Sequence, residues 1–189
     1  MNHLIIYTHF NSDSFSKAIV TEIEKILKER GEVFKTIDLY ADKFNPVFDE
    51  KDLGYMYGGE EAPEDIKKYQ DLVSWADELT FVYPLWWGQM PAMLKGFIDR
   101  VFSNGFAFTY DESGAEGLFK DKSAKAFINT GAPYDYYKEL GMHKSIKQVT
   151  DEAIFDFCGM KSETIFFGNV AFGTNDERKI YLESLQNYY

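Results

Sequence analysis

The sequence predicts an α/β fold, with a five-stranded parallel sheet in the order 2-1-3-4-5 between two layers of helices. Three observations carry this prediction. Short apolar, β-branched runs alternate with segments of helical periodicity along the chain. A helix follows each strand, as parallel neighbours require of their crossovers. Hydrophobic residues make up 45% of the 189, enough for the core of one domain over residues 1–189.

The elements can be read in order. Residues 4–8 are short, apolar and β-branched, a buried strand. Residues 16–30 carry Ala18, Ile19, Ile23, Ile26 and Leu27 at helical spacing, and Gly31 stands where a helix-ending glycine belongs. Residues 33–39 alternate as a second strand. Residues 40–63 hold Pro46, Gly54, Gly58, Gly59 and Pro63 among several acids, and read as a long loop with a helical turn near 50–53. A helix over 64–76 and a third strand over 78–83 follow. Then come a helix over 91–102 with proline at its first turn, and a fourth strand over 125–130. A helix over 145–158, a fifth strand over 162–167 and a helix over 175–187, capped by Thr174 or Asn175, complete the chain.

Charge narrows the function. Lys and Arg number 20 and Asp and Glu 31, a net charge of −11, which opposes binding to nucleic acid or to an anionic membrane. No apolar run approaches about 18 residues, so membrane insertion is not expected. Met1-Asn2-His3 opens no signal peptide. Cys158 is the only cysteine, which excludes an intrachain disulfide and a cysteine zinc cage; no metal site is expected. Together these features point to a soluble cytoplasmic protein. Aromatic residues reach 17%, a surplus that suits flat ligands or subunit interfaces as well as core.

In an open parallel sheet, ligands bind beyond the carboxyl ends of the strands, near the switch in strand order. Three loops lie there. The first runs from His9 to Ser16 into a helix N-terminus and offers hydroxyls and N–H groups to an anion; its residues equally suit a turn and a cap. It has no glycine-rich phosphate signature. The second, 84–91, contains Trp86-Trp87-Gly88. Its indoles can wall a flat heterocycle, or one can plug the core while the other meets a partner subunit. The third runs from Asn129-Thr130-Gly131 through Tyr134, Tyr136 and Tyr137 to His143. Tyrosine and histidine there can donate protons, or His143 can be an ordinary surface residue. Elsewhere, Asp99-Arg100 reads as an exposed pair, the acids around 49–52 as solvated surface, His3 as inert and Cys158 as core.

The run PLWWGQMPAMLKGFIDRVFSNGFAFTY, residues 84–110, resembles the flavodoxin-like NAD(P)H:quinone oxidoreductases, the DT-diaphorase family, and the similarity extends over nearly the whole chain. The resemblance implies a flavodoxin-like fold and a flavin. His9, Ser14, Phe15 and Ser16 would hold its phosphate. Pro84, Leu85, Trp86, Trp87 and Gly88 would hold its ring, with Asn129, Thr130 and Gly131 beside it. Family members often have asparagine at the position of Ser16 and threonine at that of Asn129. Tyr137 and His143 match the family's catalytic tyrosine and histidine in spacing, with Tyr136 as the alternative tyrosine. Arg178 resembles an arginine near the adenine end of FAD, which favours FAD over FMN.

The implied reaction is a ping-pong, two-electron hydride transfer from NAD(P)H through flavin N5 to a quinone or similar flat acceptor, in a homodimer with sites at the subunit interface. Two alternatives share the fold: a flavin-bearing ancillary subunit of a potassium efflux system, and an electron-carrier flavodoxin.

Overall fold

A computed structural model describes residues 1–189 except for the surroundings of Gly58. The central strands are β1 (Asn2–Tyr7), β2 (Val33–Asp38), β3 (Glu78–Pro84), β6 (Ser123–Asn129) and β7 (Lys161–Phe167). They pair in parallel in the order β2-β1-β3-β6-β7, which is the expected 2-1-3-4-5. All seven residues of β3 are buried, because helices cover both faces of the sheet; hence its unbroken apolar run.

On one face, α1 (Phe15–Glu29) and α7 (Asn175–Ser184) pack over Ile5, Tyr7, Val82, Phe127 and Phe167. On the other, α3 (Glu64–Trp75) and α4 (Ala92–Val101) pack over Leu4, Ile6, Leu79 and Phe81. The helix read over 145–158 belongs to this second face. It begins earlier, as α6 (Met142–Lys147), and continues as a wider π-helical stretch over Gln148–Asp156. Thr174 is the cap of α7, in a reciprocal pair with Glu177.

Several expectations are corrected. The segment 40–63 is not one loop, because α2 (Glu50–Gly58) is a nine-residue helix within it. Asp49 caps α2, and Asp52 returns the bond to the Asp49 N–H. Asp52 is therefore no solvated acid: it is buried, and its Oδ2 accepts from Arg100 Nε at 2.9 Å. Arg100 is likewise buried. Its Nη1 donates to Asp65 Oδ2 at 2.9 Å and to the Asn45 carbonyl at 2.8 Å. Asp99 is the exposed residue of the presumed pair and bonds Lys95.

Consecutive residues on a helix lie about 100° apart, so one faces water while the next faces the protein. Tyr55 strengthens the attachment of α2: its hydroxyl accepts from Gln70 Nε2 and from Ser103 Oγ, both at 2.7 Å. Gly96 lets α4 approach the preceding loop, since a Cβ there would stand 2.2 Å from the Pro46 carbonyl oxygen. His3 is not inert either; it is buried, with Nδ1 3.1 Å from Glu78 Oε1. Cys158 is core as expected, and burial pushes its thiol up to about 12.

Two further elements were not anticipated. β4 (Phe108–Asp111) and β5 (Gly114–Gly117) form an antiparallel hairpin outside the main sheet. The short α5 (Tyr134–Glu139) lies in the third loop. Among the described residues no helix is long and apolar enough to cross a membrane, and no group of three or more His, Cys, Asp or Glu is placed to hold a metal ion.

Candidate active site

The first loop is held by its own polar groups. Asn11 N–H donates to His9 Nδ1 at 3.0 Å, so Nε2 carries the ring proton in the neutral tautomer. Burial lowers the His9 pKa below the ordinary imidazole value. Ser14 caps α1, its Oγ accepting from the Lys17 N–H at 3.2 Å. Tyr7 reinforces the turn: its hydroxyl donates to the Asn11 carbonyl at 3.2 Å and lies 3.2 Å from Ser14 Oγ. Phe15 packs edge-on against Phe167, and Ser16 is buried. The turn-and-cap reading is therefore realised. It also leaves first-turn N–H groups of α1 without helical acceptors at the carboxyl end of the sheet, where an anion is favoured.

The second loop closes on itself. Trp86 and Gln89 exchange backbone bonds of 2.9 and 3.0 Å around Trp87 (φ +53°) and Gly88 (φ +76°). Both central residues of this tight turn are left-handed, a conformation that glycine tolerates and tryptophan resists. Neither indole plugs the core. Trp87 is fully exposed, while Trp86 is partly covered by the rings of His9 and Phe10. The chain keeps a strained, water-facing tryptophan at the rim, which is the pattern of a functional position rather than a packing one.

The third loop extends β6. Asn129 and Thr130 are buried; Thr130 N–H donates to the Phe167 carbonyl, and its hydroxyl to the Ala132 carbonyl at 2.8 Å. Gly131 follows on the cleft wall. Gly141, left-handed at φ +71°, starts α6 and sets His143 in its first turn. The ring beside His143 is that of Tyr134, perpendicular at 5.8 Å. Tyr137 packs against the core and against Tyr136. The methyl end of Met142 stands 3.6 Å from where a Gly88 Cβ would be, which joins the second and third loops.

A fourth loop, 168–174, was missed by sequence reasoning, which reached only Arg178 in the helix that follows it. Val170 and Ala171 line the cleft, and Arg178 braces them: Nε and Nη2 donate to the Val170 carbonyl at 3.0 and 2.9 Å, and Nη1 to Asn175 Oδ1 at 2.9 Å. The available signal was a glycine at each end of a short segment between a strand and a capped helix.

These loops enclose a cleft of about 200 Å³ between Pro84-Leu85-Trp86, Asn129-Thr130-Gly131 and Val170-Ala171. At the same end of the molecule, Thr8 Oγ1, Asn129 Oδ1 and His143 Nδ1 are buried without a protein partner. Buried polar atoms are nearly always bonded, and of these three Asn129 lines the cleft, so its open Oδ1 is the one available to a ligand there. Backbone edges, an exposed indole rim and a helix N-terminus suit a flat heterocycle bearing an anionic tail, as a flavin nucleotide does.

The class so defined is an open α/β protein that binds a planar, phosphate-bearing ligand at the switch in its sheet order. The family model for the flavodoxin-like fold matches residues 1–189. An uncharacterised NAD(P)H oxidoreductase of Haemophilus influenzae is 40% identical over 185 residues, covering 97% of this chain and 91% of that one. NAD(P)H dehydrogenase [quinone] 1 of Cavia porcellus is 33% identical, with 84% of this chain matching only 64% of that longer protein. Among solved structures, the NAD(P)H:quinone oxidoreductase of Methanothermobacter marburgensis superposes with a TM-score of 0.91 at 27% identity, covering 99% of this chain and 96% of its own. The chain belongs to the flavodoxin-like family of NAD(P)H oxidoreductases.

Proposed function

We propose that this chain is a flavin-dependent NAD(P)H:quinone oxidoreductase that works in ping-pong order, nicotinamide and acceptor using one pocket in turn. The observation that carries the reading is the unpartnered Asn129 Oδ1 in a cleft walled by the proline-leucine-tryptophan loop, where the family resemblance puts the flavin. When bound, the flavin supplies the hydride chemistry, and the protein supplies position and charge.

The α1 N-terminus, with Ser14, Phe15 and Ser16, binds the phosphate; His9 borders the same turn. Backbone groups of residues 84–88 and 129–131 orient the ring edge, and Trp86 and Trp87 exclude water from its outer side. His143 and Tyr137 hold or relay the proton that accompanies reduction of the acceptor. FAD is the preferred cofactor and FMN the alternative. Arg178 supports FAD by its place in the first turn of α7 beside the outer loop, although its guanidinium is bonded to the Val170 carbonyl of that loop and to Asn175.

A homodimer is part of this reading. The cleft is smaller than the roughly 300 Å³ at which small-molecule pockets begin, so a flavin seated there projects outward past the tryptophans. Trp87, Tyr110 and Phe157 are exposed aromatics on the same chain, suited to a second copy. Light scattering should give twice the chain mass; a fully active monomer would end the interface-site idea.

The deciding experiment is an absorption spectrum of the purified protein, then NADPH and menadione added in one anaerobic cuvette. The expected result is a flavin spectrum that bleaches with the nicotinamide and recovers with the quinone, and the mass of the released cofactor assigns FAD or FMN. A flavin that stays oxidised with both NADH and NADPH rejects the reductase reading.

A further inference from the structure

We propose that Asn129 is the hydroxyl partner of the flavin's polyol side chain, a contact that sets this chain's affinity for flavins bearing that side chain. The proposal rests on the flavin reading above and deepens it.

Asn129 joins the two halves of the site. It ends β6, level with Pro84 of β3 and Phe167 of β7. Its backbone carbonyl accepts from the Leu85 N–H at 2.8 Å, which ties it to the loop assigned to the ring. Its side-chain Nδ2 donates to Ser16 Oγ at 2.7 Å, which ties it to the helix start assigned to the phosphate. A residue bonded to both sits beside the stretch of ligand between ring and phosphate, and in a flavin nucleotide that stretch is the polyol.

The amide is 5% exposed, lines the cleft, and its Oδ1 has no partner. Turning the amide over does not remove the vacancy. Ser16 would then donate to Oδ1, and the NH₂ group would be the unpartnered end. One end of the amide is open in either orientation. A hydroxyl satisfies either, because it both donates and accepts, whereas a phosphate or a ring carbonyl only accepts.

The same two positions are those at which this chain departs from the family pattern. Relatives often carry asparagine at position 16 and threonine at 129; here serine stands at 16 and asparagine at 129. In this chain the amide comes from the sheet and the hydroxyl from the helix start, and the two are bonded.

The test compares riboflavin with lumiflavin, which has a methyl group in place of the polyol, each titrated by fluorescence into the full chain freed of its cofactor. Asn129→Leu, of similar size and without polar atoms, should lose about tenfold in riboflavin affinity and keep its lumiflavin affinity within about twofold. The double variant Ser16→Asn/Asn129→Thr should restore the preference for riboflavin. Equal losses for both ligands, or none for either, overturn the proposal and leave the flavin reading standing. If Asn129→Leu does not fold, Asn129→Thr alone should show the selective loss, repaired by adding Ser16→Asn; an unselective loss or no loss overturns the proposal here too. A wild-type chain that binds neither riboflavin nor lumiflavin overturns this proposal, and one that also binds neither FMN nor FAD overturns the flavin reading with it.

Discussion

The two ends of the sheet carry the same kind of buried polar chemistry and treat it in opposite ways. At the amino end, Glu78 is buried and bonded on all sides: His3 Nδ1 lies at 3.1 Å, Lys125 Nζ at 2.7 Å and Ser123 Oγ at 3.4 Å. Lys125 also donates to the Tyr188 carbonyl at 2.6 Å and sits 4.3 Å over the Tyr189 ring. Asn2 N–H donates to Asp77 Oδ2 at 2.7 Å, and the Tyr189 hydroxyl meets Thr80 Oγ1 at 2.8 Å. At the carboxyl end, Thr8, Asn129 and His143 each keep a buried polar atom without a partner, and Trp87 is held left-handed in water. At one end the polar groups are bonded within the fold; at the other these three are left open. Substitutions at the two ends should therefore differ in sign.

The largest effect is expected at the amino end. Lys125→Met leaves the Glu78 carboxylate buried without its ammonium partner and should cost about 3 kcal/mol in urea unfolding. Replacing both residues with Met should recover most of that loss. A cost below about 0.5 kcal/mol, within the range of an ordinary surface change, would mean that this end is not a lock.

At the carboxyl end the sign reverses. Thr8→Val removes a buried hydroxyl that bonds nothing in the protein, and the cofactor-free chain should gain about 1 kcal/mol by the same measurement. A loss would show that the hydroxyl serves the fold. Trp87→Asn relieves a left-handed tryptophan and should add about 0.5–1 kcal/mol while lowering quinone turnover. Unchanged turnover would separate the strain from function.

The smallest effect is in pH. Burial alone pushes the Glu78 carboxyl upward, but the bonds from His3 and Lys125 outweigh it and hold its pKa below the ordinary carboxylate value. A depressed carboxyl contributes stability that is present above the unfolded pKa of about 4.3 and lost as pH falls through the folded one. Unfolding midpoints of wild type and Glu78→Gln should therefore converge below that pH.

The sheet was legible because its strands are apolar runs or, as in β2, alternating ones, bounded by turn residues, patterns that need no knowledge of the neighbours. The three candidate loops were chosen for a topological reason: they follow the strands at the switch in order. What escaped was set by distant partners. Arg100 sits in sequence beside Asp99, yet its carboxylates are Asp52 and Asp65, 48 and 35 residues away. α2 forms despite its glycines because Asp49 caps it and Tyr55 anchors it to α3 and to the end of α4. The ring packed against His143 is that of Tyr134, a neighbour that spacing along the third loop does not reveal.

The sequence by itself determined the order and type of the main elements, the family and the identity of three loops. Periodicity, caps and turn residues act within a few positions of each other, so a linear reading captures them. Only the tertiary structure decided which polar groups are satisfied and which are left open. A hydrogen bond between Asn129 and Ser16 spans 113 residues of chain, and whether an amide has one vacant end depends on everything packed around it.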